Sequence, residues 1–491
     1  INFQNNSNNS NNSNNSNTYL GGSILYKKYN HFKNMTIENI NLDKLKSCFN
    51  VIQSMIPNNI ISSLHDISDG GIITSLIEMS ISSNIGLSIF FKYNYPNNDV
   101  SQNINIDIIN NDFNDYIFTT LFNENLGVIL EVEDTNLDLF TSIMGQNNIE
   151  FKTIGRTTPQ KTININFNTH NIVNMPLHEA FSYYDKPSFV MEQYQTNIDM
   201  CNDEYNYLKN DKEIQHFNLN THVYNFCMNK ISENTMTMYY NNKPKVCILR
   251  EEGSNGNKEM VAVFKYVGFE CYDILTSELA NNLDILDNVR GIVYVGGFSN
   301  SDVLGAAQGW YLTIKNNIQL YNKLKDFYRR PDIFSLGVCN GCQLMAKLNI
   351  ITSNNIKLVK NKSNKFESRF TNVKIIDDSS IFFKNMKNMN FGIWLAHGEG
   401  QFINTHYLTK KQKPCVYTYN DNATNKYPFN PNGSENGLAA IVSENGKHLA
   451  MMPHPERCFL KWQLPYKSKY DNINCSPWLM MFKNIYDWCK I

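Results

Sequence analysis

Four short apolar runs recur through the second half of the chain: KVCILR (245–250), GIVYVGG (291–297), IFSLGVC (333–339) and HLAMMPH (448–454). Helical stretches such as NKEMVAVFKYVGF (257–269) lie between the first three. Strands that alternate with helices leave few options. Each crossover lays a helix on a sheet face, so the sheet is mostly parallel and wound on both sides. An α/β domain is therefore expected to begin at Pro244 and to run to the C-terminus. Ligands of such sheets bind beyond the carboxyl ends of the strands. Cys339 falls at one of those ends.

The segment SLGVCNGCQLM (335–345) puts two cysteines three apart between an apolar run and a helix-like run. Four chemistries compete for it. A structural metal site needs about four ligands, usually as two paired clusters, and no second Cys-x-x-Cys exists. A redox pair lacks a thioredoxin-like context. Two core cysteines are the bland reading, and Cys342, facing the helix packing, fits it. A strand, a sharp turn with a nucleophile between glycines, and then a helix is the fourth, a nucleophile elbow. The free N–H groups and dipole of the helix start would favour a thiolate at Cys339.

A thiol nucleophile needs a base and a group that orients it. LAMMPHPERC (449–458) runs an apolar strand into Pro453-His454-Pro455-Glu456. The prolines fix the backbone, and a spacing of two can set the Glu456 carboxylate behind the His454 imidazole. Taken alone, His454 is an ordinary loop histidine. Beside an elbow cysteine, a Cys-His-Glu triad is the better reading. Backbone N–H groups of Gly297 and Asn340 are candidate oxyanion donors. A plain tight turn is the other reading of Gly296-Gly297.

Composition bounds the setting. The 491 residues suffice for two or three domains. Lys plus Arg is 44 and Asp plus Glu is 45, a net charge of −1, so no basic field points to nucleic acid. No apolar run approaches the roughly 18 residues of a membrane span. Eleven cysteines, odd in number and irregularly spaced, argue for reduced thiols in a cytoplasmic protein. Residues 1–19 form an Asn/Ser low-complexity segment, expected to be disordered. The start at Ile1 within that run reads as a piece of a longer chain or an incomplete gene.

From 20 to 165 the chain reads as a mixed α/β domain. IISSLHDISDGGIITSLIEMS (60–80) reads as a strand, a Gly-rich turn and a helix with Ile72, Ile73, Leu76 and Ile77 on its apolar face. DYIFTTLFNENLGVILEVE (115–133) reads as a helix stopped at Gly127 and then a strand. Residues 166–243, Asn-rich with a helical patch at EAFSYYDKPSFVMEQY (179–194), read as a partly ordered connector.

GVCNGCQ with PHPER resembles the class I, triad glutaminases. LREEGSNGNKEM, GGFSNSDVLGAAQGW, AHGEG, YPFNPNGSENGLAAI and MMPHPERC resemble the C-terminal glutaminase of the large phosphoribosylformylglycinamidine synthase family. YLGGS, HDISDGG and LFNENLGVILEV resemble the last part of that family's synthetase region, an AIR synthase-type domain. The likeness runs from about Tyr19 to the C-terminus and is weakest over 166–243.

The resemblance implies a ligase of purine biosynthesis that uses glutamine, ATP, formylglycinamide ribonucleotide and Mg²⁺. Ammonia would pass inside the protein from glutaminase to synthetase. By resemblance Cys339 is the nucleophile, His454 the base and Glu456 its orienter. Gln343 and His397 belong to the glutamine-binding region, Asp66 binds Mg²⁺ and Ser68 contacts nucleotide. An N-capping turn is the plainer reading of the HDISDGG loop, with Asp69 as the cap. Two departures stand out: Asn300-Ser301 replaces the family's Tyr-Gly, and Lys365 replaces an Arg before Phe-Glu. The family's N-terminal region and first synthetase half have no counterpart here. Two readings compete with the ligase: a free-standing cysteine hydrolase on the same scaffold, and a non-catalytic scaffold descended from the enzyme.

Overall fold

A computed structural model of the chain describes residues 20–30, 41–94, 106–209, 218–229, 243–352, 356–465 and 472–490. The Asn/Ser segment 1–19 lies outside the described residues. The chain divides into two compact units, Ile1–Pro187 with Lys209–Lys212, and Ser188–Leu208 with Glu213–Ile491. No helix among the described residues is long and apolar enough to cross a membrane.

The first unit contains α1 (Ile24–Lys28), α2 (Leu42–Met55), β1 (Ser63–Asp66), α3 (Gly71–Ser83), β2 (Gly86–Phe91), α4 (Ile106–Phe122), β3 (Val128–Glu131), α5 (Leu137–Gln146), β4 (Gly155–Thr158), β5 (Thr162–Phe167) and β6 (His170–Pro176). β1 and β3 pair antiparallel, and a separate sheet has the order β4-β2-β5-β6. On β5, Ile163, Ile165 and Phe167 are buried while Thr162, Asn164 and Asn166 are half-buried, the period of two that a one-sided sheet requires. On α2, Cys48, Val51, Ile52 and Met55 form one face that packs with Phe140 and Met144 of α5.

Two local expectations change here. α4 ends at Phe122 and not at Gly127, because Asn123 Oδ1 takes the Asn125 N–H at 2.9 Å in a local turn that competes with the helix. The cap of α3 is Gly70, at φ 83°, and not Asp69. The apolar face of α3 is also uneven: Leu76 is buried, and Ile72, Ile73 and Ile77 are half-buried.

The segment 166–243 holds the end of β5, then β6, α6 (Leu177–Gln193), α7 (Ile198–Lys209) and α8 (Thr221–Met228). The second unit continues with β7 (Lys245–Arg250), α9 (Asn257–Val267), β8 (Glu270–Leu275), α10 (Thr276–Asn281), α11 (Ile285–Asn288), β9 (Gly291–Tyr294), α12 (Gln308–Asn316), α13 (Ile318–Arg329), β10 (Phe334–Val338) and α14 (Asn340–Lys347). It ends with β11 (Lys357–Val359), β12 (Glu367–Ile375), β13 (Asn390–His397), β14 (Gln401–Ile403), β15 (Cys415–Tyr419), β16 (Asn422–Ala423), β17 (Leu438–Val442), β18 (His448–Met451) and α15 (Trp478–Cys489).

Its main sheet runs β13-β12-β15-β17-β18-β10-β9-β7-β8. The expected wound α/β arrangement occupies β18-β10-β9-β7-β8, all parallel. The remaining strands extend it antiparallel. The reason is connection length: the β17–β18 turn is too short for a crossover, so β18 must reverse direction. β10 and β18 pair with Val338 opposite Met451. The carboxyl ends of these two neighbours therefore deliver Cys339 and, three residues past Met451, His454 to one place.

Candidate active site

Cys339 sits between β10 and α14 at φ 54°, ψ −108°, a backbone state that ordinary residues avoid. The packing imposes it. Met451 O accepts the Cys339 N–H at 2.9 Å, which ties the turn to β18. Gly341 lies so close to β9 that a Cβ there would be 2.0 Å from Tyr294 O. The thiol is 5% exposed, and Sγ donates to Ala396 O at 3.4 Å. Cys342 is fully buried on α14, where burial, and then the charge of Cys339, push its thiol well above the ordinary range. Of the pair, only Cys339 stands at a strand end.

His454 and Glu456 follow β18 at a short turn that Pro455 begins and His454 caps, and both are buried. His454 Nδ1 lies 2.6 Å from Glu456 Oε1. A carboxylate can only accept, so Nδ1 carries the proton and Nε2 is left for the thiol. Nε2 is buried and closes no well-aligned hydrogen bond with a described atom. Burial opposes a charge on this ring. Glu456 and Cys339 outweigh it and lift the imidazole to about 9. Gly296 forms the floor: a Cβ there would be 2.8 Å from His454 Cε1 and 3.5 Å from Cys339 Cβ.

The other sequence candidates surround this trio. Asn340 is the first residue of α14, so its N–H has no intrahelical partner. Gly297 lies at φ 147° in a bridge with Ser254. That bridge pairs Asn255 N with Gly296 O and Phe298 N with Gly253 O, which leaves the Gly297 N–H outside it. Gln343 is held by Asn340 Nδ2 on its Oε1, at 3.0 Å, and donates to Glu399 O at 2.7 Å. His397, next to Ala396 on β13, is 2% exposed. Burial, with the charge of His454, depresses its imidazole to about 3.

Sequence reasoning missed Asn361. Its Nδ2 donates to His397 O at 2.7 Å and to Lys365 O at 3.0 Å. Its Oδ1 accepts from Gly400 N at 2.9 Å and faces His397 Nδ1 at 3.2 Å. With Nδ2 committed to two carbonyls, Oδ1 must accept, so His397 carries its proton on Nδ1. In a chain this rich in asparagine, residue type alone gave Asn361 no contrast.

In the first unit, Asp66 ends β1 with its side chain 74% exposed, 3.3 Å from His65 Nδ1. His65 Nε2 is 3.0 Å from Glu78 Oε2. Ser68 is half-buried, and its carbonyl accepts the Gly71 N–H at 2.9 Å. Among the described residues no three His, Cys, Asp or Glu side chains converge in a way that could hold a metal ion. One exposed carboxylate does not by itself make a Mg²⁺ site.

Two buried histidines make the fold acid-sensitive. His397 is depressed to about 3, and burial depresses His448 to about 4, its Nδ1 lying 3.0 Å from Ser335 Oγ. The unfolded chain titrates both near 6.5. As pH falls below that value it takes up protons that the folded chain refuses, so stability is lost between about pH 6.5 and 4. Each group contributes a slope of about 1.4 kcal/mol per pH unit. His454 has the opposite sign: its contribution is full below about 6.5 and fades as pH rises towards 9. Urea unfolding from pH 7 to 4.5 is expected to show His448→Gln with a shallower pH slope, by about one proton. An unchanged slope would mean that His448 is charged in the folded protein.

Residues 243–489 match the family described as CobB/CobQ-like glutamine amidotransferase domain. Residues 16–168 match the AIR synthase related protein, C-terminal domain. A relative from Arabidopsis thaliana, named probable phosphoribosylformylglycinamidine synthase, chloroplastic/mitochondrial, is 38% identical over 96% of this chain and 33% of its own length. Relatives named phosphoribosylformylglycinamidine synthase from Dictyostelium discoideum and Drosophila melanogaster are 35% and 33% identical. Each covers 96% of this chain, which covers 36% and 35% of theirs. The chain thus spans about a third of the length of these curated relatives. With half of its own length inside the first match, the chain belongs to the CobB/CobQ-like glutamine amidotransferase family.

Proposed function

We propose that the second unit hydrolyses the side-chain amide of glutamine and that the ammonia feeds an ATP-dependent synthetase of the phosphoribosylformylglycinamidine synthase type. The observation that carries this reading is the line from Cys339 through His454 to Glu456, with Nδ1 held at 2.6 Å. His454, charged at neutral pH, holds the proton given up by the thiol, and Cys339 attacks the amide carbon. The tetrahedral oxyanion is received by the N–H groups of Gly297 and Asn340. His454 returns the proton to the leaving nitrogen, ammonia departs, and water hydrolyses the thioester to glutamate. Gln343 and His397 belong to the wall that receives glutamine.

In the synthetase reaction, ATP activates the formamide oxygen of formylglycinamide ribonucleotide and ammonia displaces it, giving formylglycinamidine ribonucleotide, ADP and phosphate. Transfer inside the protein keeps ammonia from being protonated in solvent. Ser68 is a nucleotide contact and Asp66 one ligand of Mg²⁺. The described residues do not complete that metal site. Eleven cysteines, all free, suit a reducing, cytoplasmic compartment. A free-standing hydrolase would have no use for the AIR synthase-type unit.

The test is to express residues 20–491, supply glutamine, and label with a glutamine-shaped electrophile such as 6-diazo-5-oxo-L-norleucine. Slow hydrolysis and labelling confined to Cys339 are expected. Label on Cys342, or no reaction, would overturn the reading. Cys342→Ala is expected to lower stability by about 1 kcal/mol and to leave labelling intact. This stretch alone, given ATP, ammonia and ribonucleotide, is not expected to form product, since Asp66 is a single carboxylate.

A further inference from the structure

A half-buried ionic cluster lies near the thiol site, and the glutaminase reaction does not use it. Arg369 on β12 sits at its centre. Its guanidinium reaches Glu367 at 2.8 Å, Glu204 of α7 at 2.8 Å and the Tyr427 hydroxyl at 2.8 Å. Tyr427 in turn donates to Glu367 Oε1 at 3.1 Å. Glu367 is fully buried. Lys365 pairs with Glu192 at the end of α6 and lies 3.7 Å from Glu204. Burial opposes the charge on Glu204, but Arg369 and Lys365 hold its carboxyl below the ordinary range. The pairing is also made through the backbone, where the Asn197 N–H donates to Ser363 O at 2.9 Å. A multiply hydrogen-bonded, half-buried cluster of this kind fixes geometry more than it adds stability.

The cluster is continuous with the walls of the site. Lys365 O is one of the two carbonyls that Asn361 Nδ2 holds, and the other is His397 O. Asn361 Oδ1 fixes Gly400 N and faces His397 Nδ1. Between His397 and Gly400 stands Glu399, whose carbonyl receives Gln343. Gln343 in turn receives Asn340, the residue after the nucleophile. On the other side of His397, Ala396 O contacts Cys339 Sγ. Apart from the ion pair of Lys365 with Glu204 at 3.7 Å, every link is a direct hydrogen bond or a chain neighbour. The path runs from the helical hairpin of residues 188–208 to the 397–400 wall and bypasses the His454–Glu456 pair.

We propose that Glu192 and Glu204 of this hairpin, through Lys365, Arg369 and Asn361, are positioning residues that set the glutamine-facing wall at 397–400 without touching the thiol chemistry. The proposal rests on the glutaminase reading above. It also accounts for Lys365: a charged amine meets Glu192 and Glu204, so the departure from Arg preserves the pairing.

The proposal separates two properties of one cysteine. Intrinsic thiol reactivity depends on His454 and Glu456, and recognition of a glutamine-shaped molecule depends on the wall. The experiment uses the full chain and the double variant Glu192→Gln, Glu204→Gln, which keeps shape and removes both charges. Labelling of Cys339 is followed by peptide mass spectrometry with two reagents, iodoacetamide and 6-diazo-5-oxo-L-norleucine. The double variant is expected to lose about tenfold or more in rate with the norleucine reagent and to stay within about twofold with iodoacetamide. KM for glutamine is expected to rise about tenfold, with kcat within about threefold. Lys365→Arg, which keeps the charge, is expected to match the wild type. Rates that fall together with both reagents would show general loosening and overturn the proposal, as would rates unchanged with both. A wild-type chain that ignores the norleucine reagent while reacting with iodoacetamide would overturn the glutaminase reading itself, and this inference with it.

Discussion

Replacing Cys339 with alanine is expected to abolish glutamine hydrolysis, a fall of about 10⁴-fold or more. The size follows from the mechanism. Without Sγ no thioester forms, and although His454 remains as a base, the buried turn gives a water molecule no position for attack. The proposed oxyanion donors are main-chain groups and survive the change, so a residual rate above the uncatalysed one is expected. In an assembly that also contains a complete synthetase site, synthesis from added ammonia is expected to stay within about twofold, because that site uses ammonia whatever its origin. Steady-state glutamate release and ammonia-fed product formation measure the two. Retention of glutamine hydrolysis would remove Cys339 from the mechanism, and equal loss of both activities would make it structural.

Gly296→Ala is expected to lower hydrolysis by about 10²-fold or more while every group that does chemistry remains in place. The new methyl would lie 2.8 Å from His454 Cε1, closer than packed carbons approach. The imidazole has little freedom to retreat, because Glu456 holds Nδ1 at 2.6 Å and the His454 N–H is tied to Trp394 O at 2.8 Å. It must therefore turn away from the thiol. Thermal unfolding is expected to change by only a few degrees, since one methyl meets one ring. Hydrolysis within about threefold of wild type would show that the ring can move and still accept the thiol proton.

These two positions also show what the sequence discloses and what it hides. Cys339 was legible because an elbow needs glycines on both sides, a strand before and a helix after, all within eleven neighbouring residues. His454 and Glu456 were legible because prolines stiffen the chain around them. Most of the wound part of the sheet was legible for a similar reason: β7, β9, β10 and β18 lie within largely apolar runs, whereas β8, with Glu270 and Asp273, has no such run and went unread. Long-range partners were not. Arg369 and Glu204 are 165 positions apart, and nothing local marks either as a member of a pair. The antiparallel strands β12 and β15 escaped because polar residues such as Asn372 and Thr418 interrupt their apolar pattern. Thr418 is satisfied by the tertiary fold, its Oγ1 donating to Asn390 Oδ1 at 3.1 Å. The end of α4 was misjudged because Gly127 is a strong stop signal in general, and the side chain of Asn123 stops the helix earlier.

Asn361 carries a consequence for how the protein ages. Asparagine side chains deamidate when the following backbone nitrogen attacks the amide carbon and closes a five-membered ring. At this position the product would be a carboxylate oxygen pressed against the carbonyls of His397 and Lys365, where an N–H group now donates to both. A single such event would push apart the wall that those carbonyls belong to. The fold guards against it, because the attacking nitrogen, that of Lys362, is engaged with Asn432 O at 3.1 Å and cannot swing onto the side chain without breaking that bond. At Asn361 the persistence of the amide, and with it the spacing of those carbonyls, depends on how firmly one neighbouring N–H is held.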